Sequence, residues 1–327
     1  MATFRLVLRT VLFGLSCLLV ACSNAPEITS VPEVINPTKR IALSFDDAPR
    51  GRGPMYSGDE RAKVLIDTLA KAKSGPVVFF VTTKGFANTG GKQRVESYAD
   101  AGHLIANHSH NHKWLSRMET EEYIADIDQA EGNLQGLANR RPWFRFPYLD
   151  EGRPLEKRDA IRAALEQRGI KNGYVTIDNY DWYIEGQWQK AVKAGKTVDM
   201  QALQNAYVDM LMGAVHFYDQ AAVETFDRSP THIILLHEND LAALFIDDLI
   251  AALRADGWEI VSPDAAYADP IASIEPQTLK TRQGHVAALA MEAGRSPKSF
   301  THLAIEEDQI DAFLLERKVF TEVQNDE

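Results

Sequence analysis

Cysteine is nearly absent: the 327-residue chain holds only Cys17 and Cys22. Cys17 lies in an amino-terminal stretch that reads as removable, so the mature chain has no disulfide available and its stability must come from packing. Basic runs are also scarce. The 35 lysines and arginines are outnumbered by 46 acids, a formal charge of −11 that argues against a nucleic-acid partner. No glycine-rich phosphate loop follows the first apolar strand, so nothing supports a nucleotide-binding fold. The uncharged amino-terminal run, residues 10–21, falls short of the about 20 apolar residues that a membrane span requires. No internal repeat is visible.

What is present is enough to build a core. The chain is 45% hydrophobic and 25% charged, which suits one large globular domain or two small ones. Its first residues read as an export signal, with Arg5 and Arg9 ahead of the apolar run. "LVAC" at 19–22 resembles the lipobox of bacterial lipoproteins, in which the cysteine becomes the acylated first residue of the mature protein. Cys22 is therefore expected to carry a lipid anchor. Ser23 resembles the next residue of lipoproteins sent to the outer membrane, so the expected location is the cell envelope, on the periplasmic side of that membrane. Removing residues 1–21 deletes two arginines and takes the formal charge from −11 to −13.

Residues 22–38, rich in Pro, Ser and Asn without periodicity, read as a flexible tether. From Lys39 onward, short runs of β-branched and aromatic residues alternate with helical patterns. The expected strands are 40–46, 76–82, 103–108, 143–147, 173–178, 232–237 and 258–262; the clearest helices are 59–73, 119–137 and 199–226. Runs apolar on both faces suit buried parallel strands, so the alternation predicts a parallel α/β barrel or a doubly wound sheet. The helix at 199–226 reads as a cover for the barrel. Beyond residue 265 the pattern changes to a linker and two short helices, a C-terminal helical extension (266–327) expected to pack outside the barrel.

In a parallel α/β fold the carboxyl ends of the strands converge on one face. Here those ends carry Asp46 and Asp47, His108, Arg145, Asp178 and Asp181, and His237. In "NHSHNH" (107–112), a helical turn would bring His108 and His112 to one side and leave His110 pointing elsewhere. With Asp47 they make a two-histidine, one-carboxylate set that suits Zn²⁺, with Co²⁺ or Ni²⁺ as alternatives. A divalent ion also explains the adjacent carboxylates "DD", since it offsets their repulsion: Asp47 binds the ion and Asp46 serves as general base.

The runs "SFDDA" (44–48), His108-Ser109-x-x-His112, "RFPY" (145–148), "DNYDW" (178–182) and "LLH" (235–237) resemble, in order, the five motifs of the polysaccharide deacetylases with the NodB-homology domain, carbohydrate esterase family four. The resemblance covers about residues 39–265. It implies an α/β fold, a distorted, incomplete (β/α) barrel of about seven parallel strands, and a metal-dependent N-deacetylase. By motif position it implies that Arg145 orients Asp46, and that the Tyr148 backbone N–H helps hold the oxyanion. It implies also that His237 protonates the leaving amine with Asp181 behind it, and that Trp182 and Leu235 line the acetyl pocket. The implied substrate is an acetylated polysaccharide containing N-acetylglucosamine, such as peptidoglycan. The motifs leave O-acetyl esters, small amides and non-catalytic carbohydrate binding open, and they leave the oligomeric state open. Ala48 stands where the family has glycine and Pro49 pushes it towards an extended conformation, so the loop after Asp47 is expected to leave the site by its own path.

Overall fold

The computed structural model describes residues 39–279 and 282–322. The expected signal peptide, tether and Cys22 lie outside these residues. In chain order the elements are β1 (Lys39–Ala48), α1 (Gly58–Lys71), β2 (Val78–Val81), α2 (Gly91–Asp100), β3 (Leu104–Asn107), α3 (Thr120–Asn133), β4 (Arg140–Phe144), α4 (Leu155–Gln167) and β5 (Lys171–Asn172). Then come α5 (Asp181–Lys193), β6 (Thr197–Val198), α6 (Met200–Phe226), β7 (Thr231–His237), α7 (Asp240–Ala255), β8 (Trp258–Ile260), α8 (Pro263–Ala266), α9 (Gly284–Glu292), α10 (Glu307–Glu316) and β9 (Phe320–Thr321).

Local signals explain the boundaries. Ser57 and Glu60 form a reciprocal capping box at the start of α1. Asp199 and Asn239 cap α6 and α7 by accepting backbone N–H groups of Ala202 and Ala242. The strands are buried on both faces, as Val78, Phe79, Phe80 and Val81 show, and each such apolar side chain contributes about 1.5–3 kcal/mol by leaving water.

Seven strands form one parallel sheet in the order β5-β4-β3-β2-β1-β7, with β8 also on β1. It curls into a half-barrel with helices around it. The register pairs Asp46 with His237, so the ends of β1 and β7 lie side by side.

Residues 173–178 depart from the expected strand. The ladder on β4 stops at Asn172, and only one bridge, Ile177 to Ile234, lies beyond it. The backbone there is satisfied otherwise: Arg145 donates to the Gly173 carbonyl, Tyr267 to that of Tyr174 at 2.9 Å, and the His285 N–H to that of Val175 at 2.7 Å. The other strand and helix ends move by a few residues.

His285 opens α9, so the C-terminal extension seals this side of the half-barrel instead of packing outside it. Val286, Ala290, Phe300, Ile310 and Leu314 belong to the main core, and β9 pairs antiparallel with β6. The described residues form one compact unit. As expected, α6 is a cover, burying Leu203, Tyr207 and Leu211 against the core, with His216 and Glu224 in surface ion pairs.

Candidate metal and acid–base site

At the end of β1 the alternation of side chains fails, to a purpose. In a regular strand Asp46 and Asp47 would face opposite sides of the sheet. Asp47 instead adopts a left-handed conformation (φ 71°), which turns its carboxylate towards the same site as that of Asp46. This conformation costs a non-glycine residue about 1–2 kcal/mol, and aspartate is among the residues that tolerate it best. It is Asp47, and not Ala48, that takes the strained position. The following loop is then tied to β7 and α7: Arg50 N–H donates to Glu238 at 2.7 Å, and the Met55 and Tyr56 N–H groups donate to Asp240 at 2.8 and 2.9 Å.

His108 and His112 come together without a helical turn. Ser109 (φ 71°) and His112 (φ 53°) are both left-handed, and the loop is stapled by the His112 N–H donating to Ser109 Oγ at 2.9 Å and the Ser109 N–H donating to Asn107 Oδ1 at 2.7 Å. Nε2 of His112 lies 3.1 Å and Nε2 of His108 lies 3.7 Å from Asp47 Oδ1. One ligand atom from each of Asp47, His108 and His112 lies within 4.8 Å of the others. His110 turns away to the Thr83 hydroxyl at 2.9 Å.

The donor set fits a divalent cation. Nδ1 of His108 is 2.8 Å from the Arg145 carbonyl, which can only accept, so this nitrogen carries the proton and the Nε2 lone pair faces Asp47. Burial lowers the pKa of His108 and of His112 to about 4, leaving both imidazoles neutral and able to ligate. Burial works against the charge of Asp47, yet the cationic His237 and Arg50, with the His112 ring against it, outweigh this and hold the carboxyl well below the usual range.

Two acid–base pairs flank the trio. Arg145, fully buried, donates from Nη1 to Asp46 Oδ1 at 2.8 Å, and Tyr267 and Ser44 lie against its Nη2 at 3.1 and 3.3 Å. Burial raises the pKa of Asp46, with Arg145 and His237 opposing. On the other side, Nδ1 of His237 meets Asp181 Oδ1 at 2.6 Å, while Asp181 Oδ2 accepts the His237 N–H at 2.9 Å and Asn239 Nδ2 at 3.2 Å. Burial disfavours the charged imidazole, but Asp181 overrides it and pushes the pKa of His237 up to about 9. Asp178 is buried nearby, and its removal from water raises its pKa to about 8.

Leu235, Tyr148 and Trp182 were also expected at the site. Leu235 sits two positions before His237 and so on the same face of β7, one layer deeper. Tyr148 is left-handed (φ 60°), its ring 4.6 Å from that of His112, and its N–H makes no hydrogen bond among the described residues. Trp182 is 38% exposed at the start of α5.

Several participants had no signal in the sequence: Tyr267 on Arg145, Asn239 on Asp181, and Trp114, whose ring stacks on Tyr148 at 4.0 Å and 5°. Asn239 could have been suspected from "HEND". A cavity of about 960 Å³ along α4 and residues 267–277 contains none of the trio.

A parallel half-barrel with a candidate metal trio at its strand ends is the class that fold and site define. Residues 33–173 match the family model described as polysaccharide deacetylase. The chain is 30% identical over 146 residues to a peptidoglycan-N-acetylglucosamine deacetylase of Bacillus cereus, covering 43% of this chain and 46% of that protein. It is 23% identical over 253 residues to the peptidoglycan-N-acetylglucosamine deacetylase PgdA of Listeria monocytogenes, covering 75% and 43%. The chain thus spans a little under half the length of these curated relatives. The solved structure of peptidoglycan deacetylase PdaC from Bacillus subtilis matches with a TM-score of 0.46 at 21% identity, covering 69% of this chain and 88% of that one.

Proposed function

We propose that this protein is a metal-dependent hydrolase that removes N-acetyl groups from a glycan containing N-acetylglucosamine, peptidoglycan by preference, in the bacterial cell envelope, where a lipid on Cys22 anchors it. The observation that carries the reading is the Asp47, His108, His112 trio standing between a base held by arginine and an imidazole held by aspartate. A divalent ion held by Asp47, His108 and His112, Zn²⁺ by ligand type and Co²⁺ or Ni²⁺ as alternatives, would supply Lewis acidity and make a water easier to deprotonate.

The chain's own groups do the rest. Asp46, fixed by Arg145, takes a proton from the attacking water as its oxygen bonds to the acetamide carbon. The Tyr148 N–H is aimed for the negative charge that builds on the former carbonyl oxygen. His237, protonated and oriented by Asp181, gives its proton to the nitrogen as the carbon–nitrogen bond breaks, releasing acetate and an amine. Trp182 and Leu235 wall the acetyl methyl group away from water.

The test is metal analysis of the mature domain alongside acetate release from peptidoglycan, N-acetylglucosamine oligomers and acetylated xylan. One ion per chain and acetate from the first two are expected. Release from xylan or a small amide alone would overturn the N-deacetylase reading, and His108→Ala should abolish both metal and release.

A further inference from the structure

Most partly or fully buried arginines in this acidic chain face a carboxylate: Arg61, Arg94, Arg145, Arg162 and Arg228 each do so within 3.1 Å. Two exposed arginines beside Trp114 do not. Arg117 and Arg282 place their guanidinium carbons 5.1 and 5.4 Å from the ring of Trp114. Among the described residues, neither side chain forms an ion pair or a hydrogen bond to a carboxylate.

Trp114 is tied into the site by ring contacts. It stacks on Tyr148, 43% exposed, which in turn lies 4.6 Å from His112, so the two guanidinium groups stand two stacked rings out from a candidate metal ligand. The charge of Arg117 acts on Tyr148, and that of Arg282 acts on Tyr180, whose ring lies 5.1 Å from that of Trp182. Glu306 and Glu307 also act on Tyr180, but neither is within ion-pair distance of Arg282.

A guanidinium resting on an aromatic face keeps its edge N–H donors, held in a planar fork that matches a carboxylate. Were these arginines present only to support Trp114, one cation on the ring would suffice. Resting on the deacetylase reading above, we propose that Arg117 and Arg282 form an anion-binding rim that selects an acetylated glycan bearing carboxylates on its sugars over a neutral one. The C-terminal extension, which supplies Arg282, then takes part in substrate choice.

The experiment compares two probes that differ only in charge: cell-wall glycan strands stripped of peptide, with free sugar carboxylates, and the same strands after methyl esterification. Acetate release and equilibrium binding are measured for the wild type, Arg117→Gln, Arg282→Gln, the double variant and Arg282→Lys. The wild type should favour the free acid by about tenfold in KM and in binding, with little difference in kcat. The preference should shrink in each single variant, vanish in the double variant, and be partly kept by Arg282→Lys. Equal affinity of the wild type for both probes, or equal losses on both in the variants, would overturn the rim. Because binding is read separately, a wild type that prefers the free acid but releases no acetate would sink the deacetylase reading and leave the rim standing.

Discussion

Arg145 holds one oxygen of Asp46 at 2.8 Å, while the other oxygen of the same carboxylate stands 3.6 Å from Nε2 of His108. The aspartate next to the trio is thus committed to an arginine on one side and faces the metal position on the other. Asp47, one residue on, has no such arginine contact and meets both histidines. Two neighbouring carboxylates thus stand in different surroundings.

Replacing Asp46 by asparagine should therefore separate the two. Metal content should stay at the wild-type level while acetate release falls by roughly 10²–10⁴, the range for a lost general base. Metal analysis and a turnover assay on the same preparation check this. Wild-type turnover in Asp46→Asn would remove Asp46 from the chemistry.

The pH profile follows from His237. Its pKa is raised to about 9 by Asp181 against the effect of burial, so the proton that the proposed reaction draws on is present below that value and lost above it. Turnover should decline as pH rises through about 9, and on the acid side as Asp46, whose pKa burial raises, takes up its proton. Asp181→Asn should move the alkaline limb to lower pH, towards the ordinary value near 6.5. An alkaline limb that stays in place would show that another group sets it.

Behind the site, Arg61 is fully buried and donates to Glu238 and Asp240, both at 3.0 Å, while Tyr98 donates to Glu238 at 2.8 Å. Arg61→Met leaves two carboxylates buried without their cation and should cost about 3–5 kcal/mol, the penalty for breaking a buried pair from one side. Chemical denaturation reads this. A loss below 1 kcal/mol would mean that water reaches the network.

Asp178 offers a test of sign in stability. Its pKa rises from the ordinary 3.8 to about 8 in the folded chain because burial disfavours its charge. A carboxyl raised in this way contributes most to stability below about pH 4, and that contribution is lost as pH climbs towards 8. Asp178→Asn lacks this loss, so its melting temperature should gain on the wild type steadily from pH 4 to pH 8. A difference that stays flat across that window would contradict the burial argument.

Much of the fold was legible because β1, β2, β3 and β7 are apolar runs between turn signals, and α1 and α6 have amphipathic patterns with capping residues at their starts. The site was legible as a set of residue types at strand ends. How those residues meet was not. The left-handed turns at Asp47, Ser109 and His112 break both the strand and the helix period, and a helical spacing of four suggested the wrong reason for the two histidines that meet. Residues 173–178 have a strand's composition, but distant partners, Arg145, Tyr267 and His285, take their carbonyls. Contacts between residues about 30 to 110 positions apart leave no trace in periodicity.

The carbonyl of Val175 is met by the N–H of His285, and the N–H of Tyr180 by the carbonyl of Ala304. Synthesis delivers these partners after every strand of the sheet. A nascent chain that has already assembled Asp46, His108 and Arg145 still carries an open seam until α9 and the residues around Ala304 emerge, so the barrel is closed only well after its sheet is made. Chains cut short near residue 265 are then expected to be cleared by proteases, and not to persist as smaller enzymes.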